Sequence, residues 1–171
     1  MFVKLGGMIA ALMLVAGVAA AADLTDPQIA HVAYTAGQID IDAAKLALEK
    51  SKNEEVRGFA ENMVADHAAV NELALALLKK LNVTPEDNDT SKALAKQAAE
   101  KHDMLAGLGG AAFDKAYAEN EAAYHKTVNG ALEGALIPST KNGELKDLLS
   151  TGLKIFQGHQ QHAEQLAAAI K

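Results

Sequence analysis

Four long stretches of this chain carry apolar residues at three- and four-residue intervals, the repeat that lines one face of an α-helix. The composition strengthens this prediction, since 36 of the 171 residues are alanine, which loses the least conformational freedom on entering a helix. Only 3 prolines and 7 aromatic residues are present, which disfavours a sheet. We therefore expect an all-α fold, and the length fits one domain.

Several functional classes are disfavoured by composition. The sequence contains no cysteine, which excludes a disulfide framework, a thiol nucleophile and a cysteine-ligated zinc site. A net charge of −6, spread along the chain, disfavours binding to the phosphates of nucleic acids. We find no nucleophile motif and no phosphate-binding loop. We expect no nucleic-acid partner, while a protein partner, a homo-oligomer and an enzymatic activity stay open.

The first 22 residues have the form of a secretory signal peptide. Lys4 precedes an unbroken apolar and small-residue run over 8–22, and its last three alanines offer a small-residue cleavage site. We expect cleavage near Ala22, which leaves residues 23–171 as one domain, without an integral membrane span, in the periplasm or secreted. The alternative is an uncleaved N-terminal anchor, which would also place the folded part outside the cytoplasm.

Caps and helix breakers divide the remaining chain into five helices. We predict them over about Asp26–Lys50 with Asp26 as N-cap, from a Ser51–Glu54 capping box to Leu81, over Lys92–Ala106, over Ala111–Leu136 with an end before Pro138, and from Gly143 to the C-terminus. The short third helix crosses between two antiparallel pairs, as in ferritin-like bundles. The sequence thus predicts a ferritin-like four-helix bundle with an additional short crossover helix between the second and third long helices.

All four long helices direct ionisable side chains toward their apolar faces. At about 100° per residue, the inward positions are Asp40 on the first, His67 on the second, Asp114, Glu121 and His125 on the fourth, and His159 and His162 on the fifth. Burying an isolated charge is costly, so these groups must be neutral, paired with one another or bound to a metal.

One interpretation is a metal site in the bundle core. We expect His67, His125 and His159 as nitrogen ligands and Glu121 and Asp40 as oxygen ligands. His162 and Asp114 are further candidates. A site richer in imidazole than in carboxylate favours iron, zinc, copper or nickel over magnesium or calcium. His67 lies about four residues, or roughly 6 Å, deeper than Asp40, so we expect an elongated site.

A second interpretation is a metal-free core. The same inward residues can form a satisfied hydrogen-bonded network that fixes the packing, and function then resides on an exposed surface that binds partners. His31 points away from Asp40, and His102 lies among charged residues, so we expect both outside the site. Asp66, at the edge of the apolar face, is either a residue that orients an imidazole or, as we prefer, a surface acid. We expect the three tyrosines to serve packing.

Four sequence blocks carry a family resemblance: residues 56–67, 110–117, 120–125 and 156–163. In order and spacing they resemble domain-of-unknown-function family 4142, exported bacterial proteins that are often labelled membrane or outer-membrane proteins. The resemblance implies a ferritin-like bundle in the cell envelope. It implies no activity, because the function of the family is unsettled.

The sequence departs from the di-iron pattern of the wider ferritin-like class. That pattern has a Glu-x-x-His pair on each of two helices, and this chain has none. Glu121 and His125 are one residue too far apart, and His159 and His162 have the spacing but begin with histidine. A standard di-iron oxidase is therefore disfavoured. We expect an exported protein that handles a metal or protects the envelope against stress, or else a metal-free structural or interaction protein.

Overall fold

The structure of the protein, a computed structural model, describes residues 24–170. Its elements are α1 (Asp26–Lys50), α2 (Glu54–Lys80), α3 (Asp89–Ala106), α4 (Gly110–Ala131), a π-helical turn (Leu132–Leu136), α5 (Ile137–Ser139) and α6 (Gly143–Ala169). The long helices α1, α2, α4 and α6 form the bundle, and α3 crosses between α2 and α4. The predicted ferritin-like fold with its additional helix is confirmed.

Two antiparallel pairs build the bundle. Helix α1 packs against α2, and α4 packs against α6. Contacts between α2 and α6 join the pairs, and α3 lies against α1. The short links between the paired helices are those that the sequence predicts, because a link of a few residues leaves consecutive helices side by side.

The apolar core consists of two separate clusters along the bundle axis. One contains Phe59, Met63, Phe113 and Tyr117, together with the end of α1 and the end of α6. The other contains Ile29, Leu78, Leu149 and Phe156, with the start of α1 and the π-helical turn. On every long helix the two clusters are separated by two to four helical turns of sequence. Asp40, His67, Glu121, His125 and His159 lie in that interval.

The start of α1 differs from the prediction by one residue. Thr25, not Asp26, is the N-cap, and its backbone N–H donates to the Gln28 side chain at 3.0 Å. Asp26 thus enters the first turn, and its carboxylate accepts hydrogen bonds from the backbone N–H groups of Lys141 and Asn142 at 2.9 and 2.7 Å. This acid ties α1 to the turn before α6.

Two further helix starts correct the prediction. Asn53, not Ser51, caps α2, because its side-chain oxygen accepts from the backbone of Glu55 and Val56. Helix α3 begins at Asp89, three residues earlier than expected. The reason is a reciprocal cap, in which Asn88 and Ser91 each donate a backbone N–H to the side chain of the other, at 3.1 and 3.0 Å.

The prediction that the fourth helix ends before Pro138 is wrong. Helical backbone continues through Pro138 to Ser139. Proline lacks an N–H, and its ring crowds the preceding turn of an α-helix. Here that turn is the π-helical segment Leu132–Leu136, whose wider winding accommodates the ring.

The predicted signal peptide lies outside the described residues. The division into residues 1–22 and a domain over 23–171 therefore stays a prediction. Within residues 24–170, none of the helices combines the length and the apolar character needed to cross a bilayer.

Candidate metal centre

A layer of buried ionisable side chains crosses the bundle between the two apolar clusters. We call it the polar layer and define it as Asp40, His67, Glu121, His125 and His159. All five are at most 7 % exposed, and they come from all four long helices. Each long helix carries an acid or a histidine on its apolar face between its contributions to the two clusters, and these side chains therefore meet at one level of the bundle.

Three histidines meet in this layer. The ring centroids of His67, His125 and His159 are 5.3–5.6 Å apart, and one nitrogen from each lies within 4.8 Å of the other two. A metal–nitrogen bond is about 2 Å long, so two nitrogens on one ion are at most about 4 Å apart. The triad is therefore close to the spacing that a single ion requires.

Hydrogen bonds set the orientation of two of these rings. His125 Nδ1 lies 3.0 Å from the Glu121 backbone oxygen, and His159 Nε2 lies 2.9 Å from Asp66 Oδ2. Since a carbonyl or a carboxylate oxygen can only accept, both of these nitrogens carry the proton. The lone pairs of the neutral rings are then on His125 Nε2 and His159 Nδ1. Metal-binding histidines are commonly held in this way, with the other N–H on a carbonyl or carboxylate.

The remaining ring nitrogens are buried without a hydrogen bond. Among the described residues, both nitrogens of His67, Nε2 of His125 and Nδ1 of His159 have no hydrogen-bond partner. Leaving a buried polar atom unsatisfied costs about 1–3 kcal/mol. These are the atoms that the tautomers leave free to bind an ion. Phe156 stacks on His67, with centroids 4.5 Å apart and planes 9° apart, and so fixes the ring that lacks a hydrogen bond.

Two carboxyl groups extend the layer on one side of the triad. Asp40 Oδ2 lies 3.3 Å from His125 Nε2 and 3.5 Å from His67 Nε2. Asp40, Glu121 and His125 form a second group whose potential ligand atoms lie within 4.8 Å of one another. His125 belongs to both groups. The expected depth difference between Asp40 and His67 therefore does not separate them, and the site is a single continuous cluster.

Burial favours the neutral form of every group in the layer. Burial raises the pKa of Asp40 to about 8, although its proximity to the Glu121 side chain opposes the shift. Burial, and then the charge of Asp40, raise the pKa of Glu121 well above its usual range. Burial lowers the pKa of His67 to about 2 and that of His125 to about 4, and it also lowers the pKa of His159. Neutral imidazole is the form that binds metals.

Two of the seven predicted ligands lie outside the cluster. Asp114 is buried, but neither group of potential ligands contains it. His162 is exposed, and its ring packs edge-on against Phe59, with centroids 5.1 Å apart. One helical turn beyond His159, the side chain has already rotated out of the core.

Three residues have surroundings that differ from the preferred interpretation or add to it. Asp66 is half-exposed, as expected of a surface acid, and its carboxylate also holds His159, which is the orienting role that the sequence left open. His31, expected on the surface, is half-buried, and α3 packs against its helix. Tyr124 donates its hydroxyl to the Ala36 backbone oxygen at 2.8 Å and packs edge-on against His125. His102 is exposed, as expected. The edge position of Asp66 opposite His159 was the available signal for their contact.

Three solved structures share the fold. A DUF305 protein from Streptomyces coelicolor, considered to be secreted, aligns over 82 % of this chain and 90 % of its own, with a TM-score of 0.70 and 14 % identity. A DUF305 fragment from Deinococcus radiodurans aligns over 84 % and 97 %, with a TM-score of 0.71 and 14 % identity. CopM in the Cu(II)-bound form aligns over 85 % and 97 %, with a TM-score of 0.64 and 15 % identity.

No curated protein matches the chain. The sequence pattern of the domain of unknown function DUF4142 matches residues 13–166, which is most of the chain. The family resemblance noted in the sequence is confirmed, and the chain belongs to the DUF4142 family.

Proposed function

We propose that this protein is an exported metal-binding protein of the cell envelope, which holds a transition-metal ion at His67, His125 and His159. The observation that supports the proposal is the approach of three buried imidazoles, of which one nitrogen each lies within 4.8 Å of the other two. His125 Nε2 and His159 Nδ1 have no hydrogen-bond partner among the described residues. The cellular role that fits such a site is metal handling or protection of the envelope against stress.

His125 Nε2, His159 Nδ1 and one nitrogen of His67 would bind the ion. Oxygens of Asp40 and Glu121 lie beside His125 and are available as further ligands. A set of imidazoles with adjacent carboxylates suits copper, zinc or iron. The Cu(II)-bound state of CopM, which shares the fold, makes copper the first ion to test.

Export is supported by the form of residues 1–22, with a basic start and an apolar run before small residues. The S. coelicolor DUF305 protein with the same fold is also considered to be secreted. A periplasmic or secreted location would expose the site to metal ions of the envelope.

The competing function is that of a metal-free structural or interaction protein. The position of Asp40 favours this function, because a protonated carboxyl 3.3 Å from His125 Nε2 could donate a hydrogen bond to that nitrogen. Four buried atoms count against it, namely both ring nitrogens of His67, His159 Nδ1 and Glu121 Oε2. A hydrogen-bonded core requires partners for these atoms, and within the described residues they have none.

Metal analysis of natively produced protein separates the two functions. The untagged protein is purified from periplasmic extract without chelators, and its metal content is measured by mass spectrometry. We expect about one transition-metal ion per chain, lost in His67→Ala and in His159→Ala. His162→Ala, one turn further on the same helix and exposed, is the matched control and retains the ion. Metal content far below one per chain that is unchanged in all three variants would support the metal-free function.

A further inference from the structure

A cavity of about 440 Å³ opens beside the polar layer. Its wall is mostly aliphatic and is contributed by the long helices, α3 and the π-helical turn. This volume is within the range of small-molecule sites, about 300–1,000 Å³. A π-helical turn in the wall is a further feature that recurs at functional sites.

The buried part of the cavity carries three polar side chains, His67, Asn71 and His125. Asn71 is only 7 % exposed, and its Nδ2 lacks a hydrogen-bond partner in the described part of the chain. Gly37 faces it across the α1–α2 contact, where a Cβ atom would lie 2.5 Å from Asn71 Oδ1. The fold thus makes room for a buried amide whose N–H is not used by the protein.

Solvent reaches the cavity on the side of α3. The lining residues Asp89, Ala93 and Gln97 on this helix are exposed, whereas His67, Asn71 and His125 are buried. A molecule that enters past α3 would therefore meet an aliphatic wall and then the Asn71 side chain. Asn71 Nδ2 is itself closed to solvent, so the amide would have to turn toward the cavity to donate to a bound molecule.

The charge of the wall selects the head group of such a molecule. Among the described lining residues there is no lysine or arginine, and the one carboxylate, Asp89, is exposed. A buried anion would have no positive side chain to pair with, which is strongly unfavourable. A neutral hydrogen-bond acceptor, by contrast, can take the free N–H of Asn71.

We propose that this cavity binds a neutral amphiphile, with its aliphatic chain along the apolar wall and a carbonyl oxygen accepting a hydrogen bond from Asn71 Nδ2. This goes beyond metal binding and does not depend on it. The cavity shares His67 and His125 with the metal site, but His159 is not part of its wall. The two proposals can therefore fail independently.

Displacement of the neutral dye N-phenyl-1-naphthylamine, followed by fluorescence, tests the proposal with the mature chain. Three probes of matched length are compared: decanamide, decanoate and undecane. We expect decanamide to displace the dye about tenfold more strongly than decanoate does. In Asn71→Leu, which is similar in size, the affinity for decanamide falls about tenfold while that for undecane does not fall, as expected for one lost hydrogen bond.

Ala93→Trp narrows the entrance at an exposed position, where folding is not at risk, and should abolish displacement. Ala95→Trp, exposed on the same helix but outside the cavity, is the matched control and should bind as the wild type does. His159→Ala should bind decanamide normally even where it loses metal. Absence of decanamide binding, equal binding in Ala93→Trp, or decanoate binding as strongly as decanamide would overturn the proposal.

Discussion

Asp66 Oδ2 on α2 and His159 Nε2 on α6 are 2.9 Å apart, which makes a half-exposed acid the partner of a buried ring. The contact bridges two helices that are not neighbours in sequence. It also fixes the tautomer of His159, with the proton on Nε2 and the lone pair on Nδ1. The acid at the surface thus determines which nitrogen of His159 can bind an ion.

Replacement of Asp66 should weaken metal binding without removing a ligand. In Asp66→Ala, His159 loses its acceptor and can adopt either tautomer, so we expect the affinity for copper or zinc to fall about 10- to 100-fold. Asp66→Asn should lose less, because its amide oxygen can still accept. Competition titration with a chromogenic chelator measures the affinity. Glu72→Ala, exposed on the same helix, is the control, and an equal loss there would contradict the assigned role.

Asp40 should make the metal-free protein less stable as pH rises. Its carboxyl has a pKa of about 8 in the folded protein and 3.8 as the reference value. Between these values the unfolded chain is ionised and the folded one is protonated, so stability falls with pH across this window. The Asp40→Asn variant lacks this ionisable group and should not lose stability in this window. The difference between its Tm and that of the wild type should therefore increase by roughly 5 °C or more from pH 5 to pH 8.

The histidines act in the opposite direction and serve as the internal control. The pKa of His67 is about 2 in the folded protein against a reference of 6.5, so the unfolded chain takes up a proton below pH 6.5 and stability is lost as pH falls. The Asp40→Asn variant should still lose stability at low pH, because its histidines are unchanged. A Tm difference between the two proteins that is constant from pH 5 to pH 8, measured calorimetrically in chelator, would refute the assigned protonation of Asp40.

The packing of the Asn71 side chain should require glycine at position 37. A Cβ atom at position 37 would lie 2.5 Å from Asn71 Oδ1, so Gly37→Ala should destabilise the protein by about 1–3 kcal/mol although alanine favours a helix. In an Asn71→Ala background the same change should be neutral or stabilising. Gly58→Ala, where an added Cβ would have no neighbour within 4 Å among the described residues, should stabilise by up to about 1 kcal/mol. Urea unfolding of the four proteins of the Gly37–Asn71 cycle measures the coupling, and additive effects would contradict the contact.

Asp26 should stabilise the bundle by joining α1 to the turn before α6. Its carboxylate accepts two backbone hydrogen bonds, from Lys141 and Asn142. We expect Asp26→Ala to lower the free energy of unfolding by about 1–2 kcal/mol, measured by urea denaturation. Asp103→Ala, with a side chain that is 88 % exposed, should change it little. If both variants unfold at the same urea concentration as the wild type, the two hydrogen bonds of Asp26 do not contribute to the free energy of unfolding.

Helix periodicity was sufficient to predict the fold and the burial of most of the candidate ligands, with His162 as the exception. His67, His125, His159, Asp40 and Glu121 were all placed correctly on the buried faces, because a side chain amid aliphatic neighbours at three- and four-residue spacing has one direction to point. The same reasoning failed at the ends of helices. Asn53 and Asn88 cap helices through contacts that depend on loop conformation, and the π-helical turn that accommodates Pro138 has no periodic signal.

Side-chain contacts between different helices could not be predicted from the sequence. Whether Asp66 meets solvent or His159 depends on how α2 is rotated against α6, and His162 shows how one helical turn moves a ring out of the core. The close contact of Gly37 with Asn71 depends on how near α1 comes to α2. None of these can be read from one helix alone, since each is set by the packing of two.

Anomalous diffraction from crystals of the copper- or zinc-loaded protein, collected at the absorption edge of the metal, tests the central claim most directly. We predict one dominant peak per chain, about 2 Å from His125 Nε2, from His159 Nδ1 and from one ring nitrogen of His67. A peak at exposed histidines such as His102 or His162, with none inside the polar layer, would contradict it.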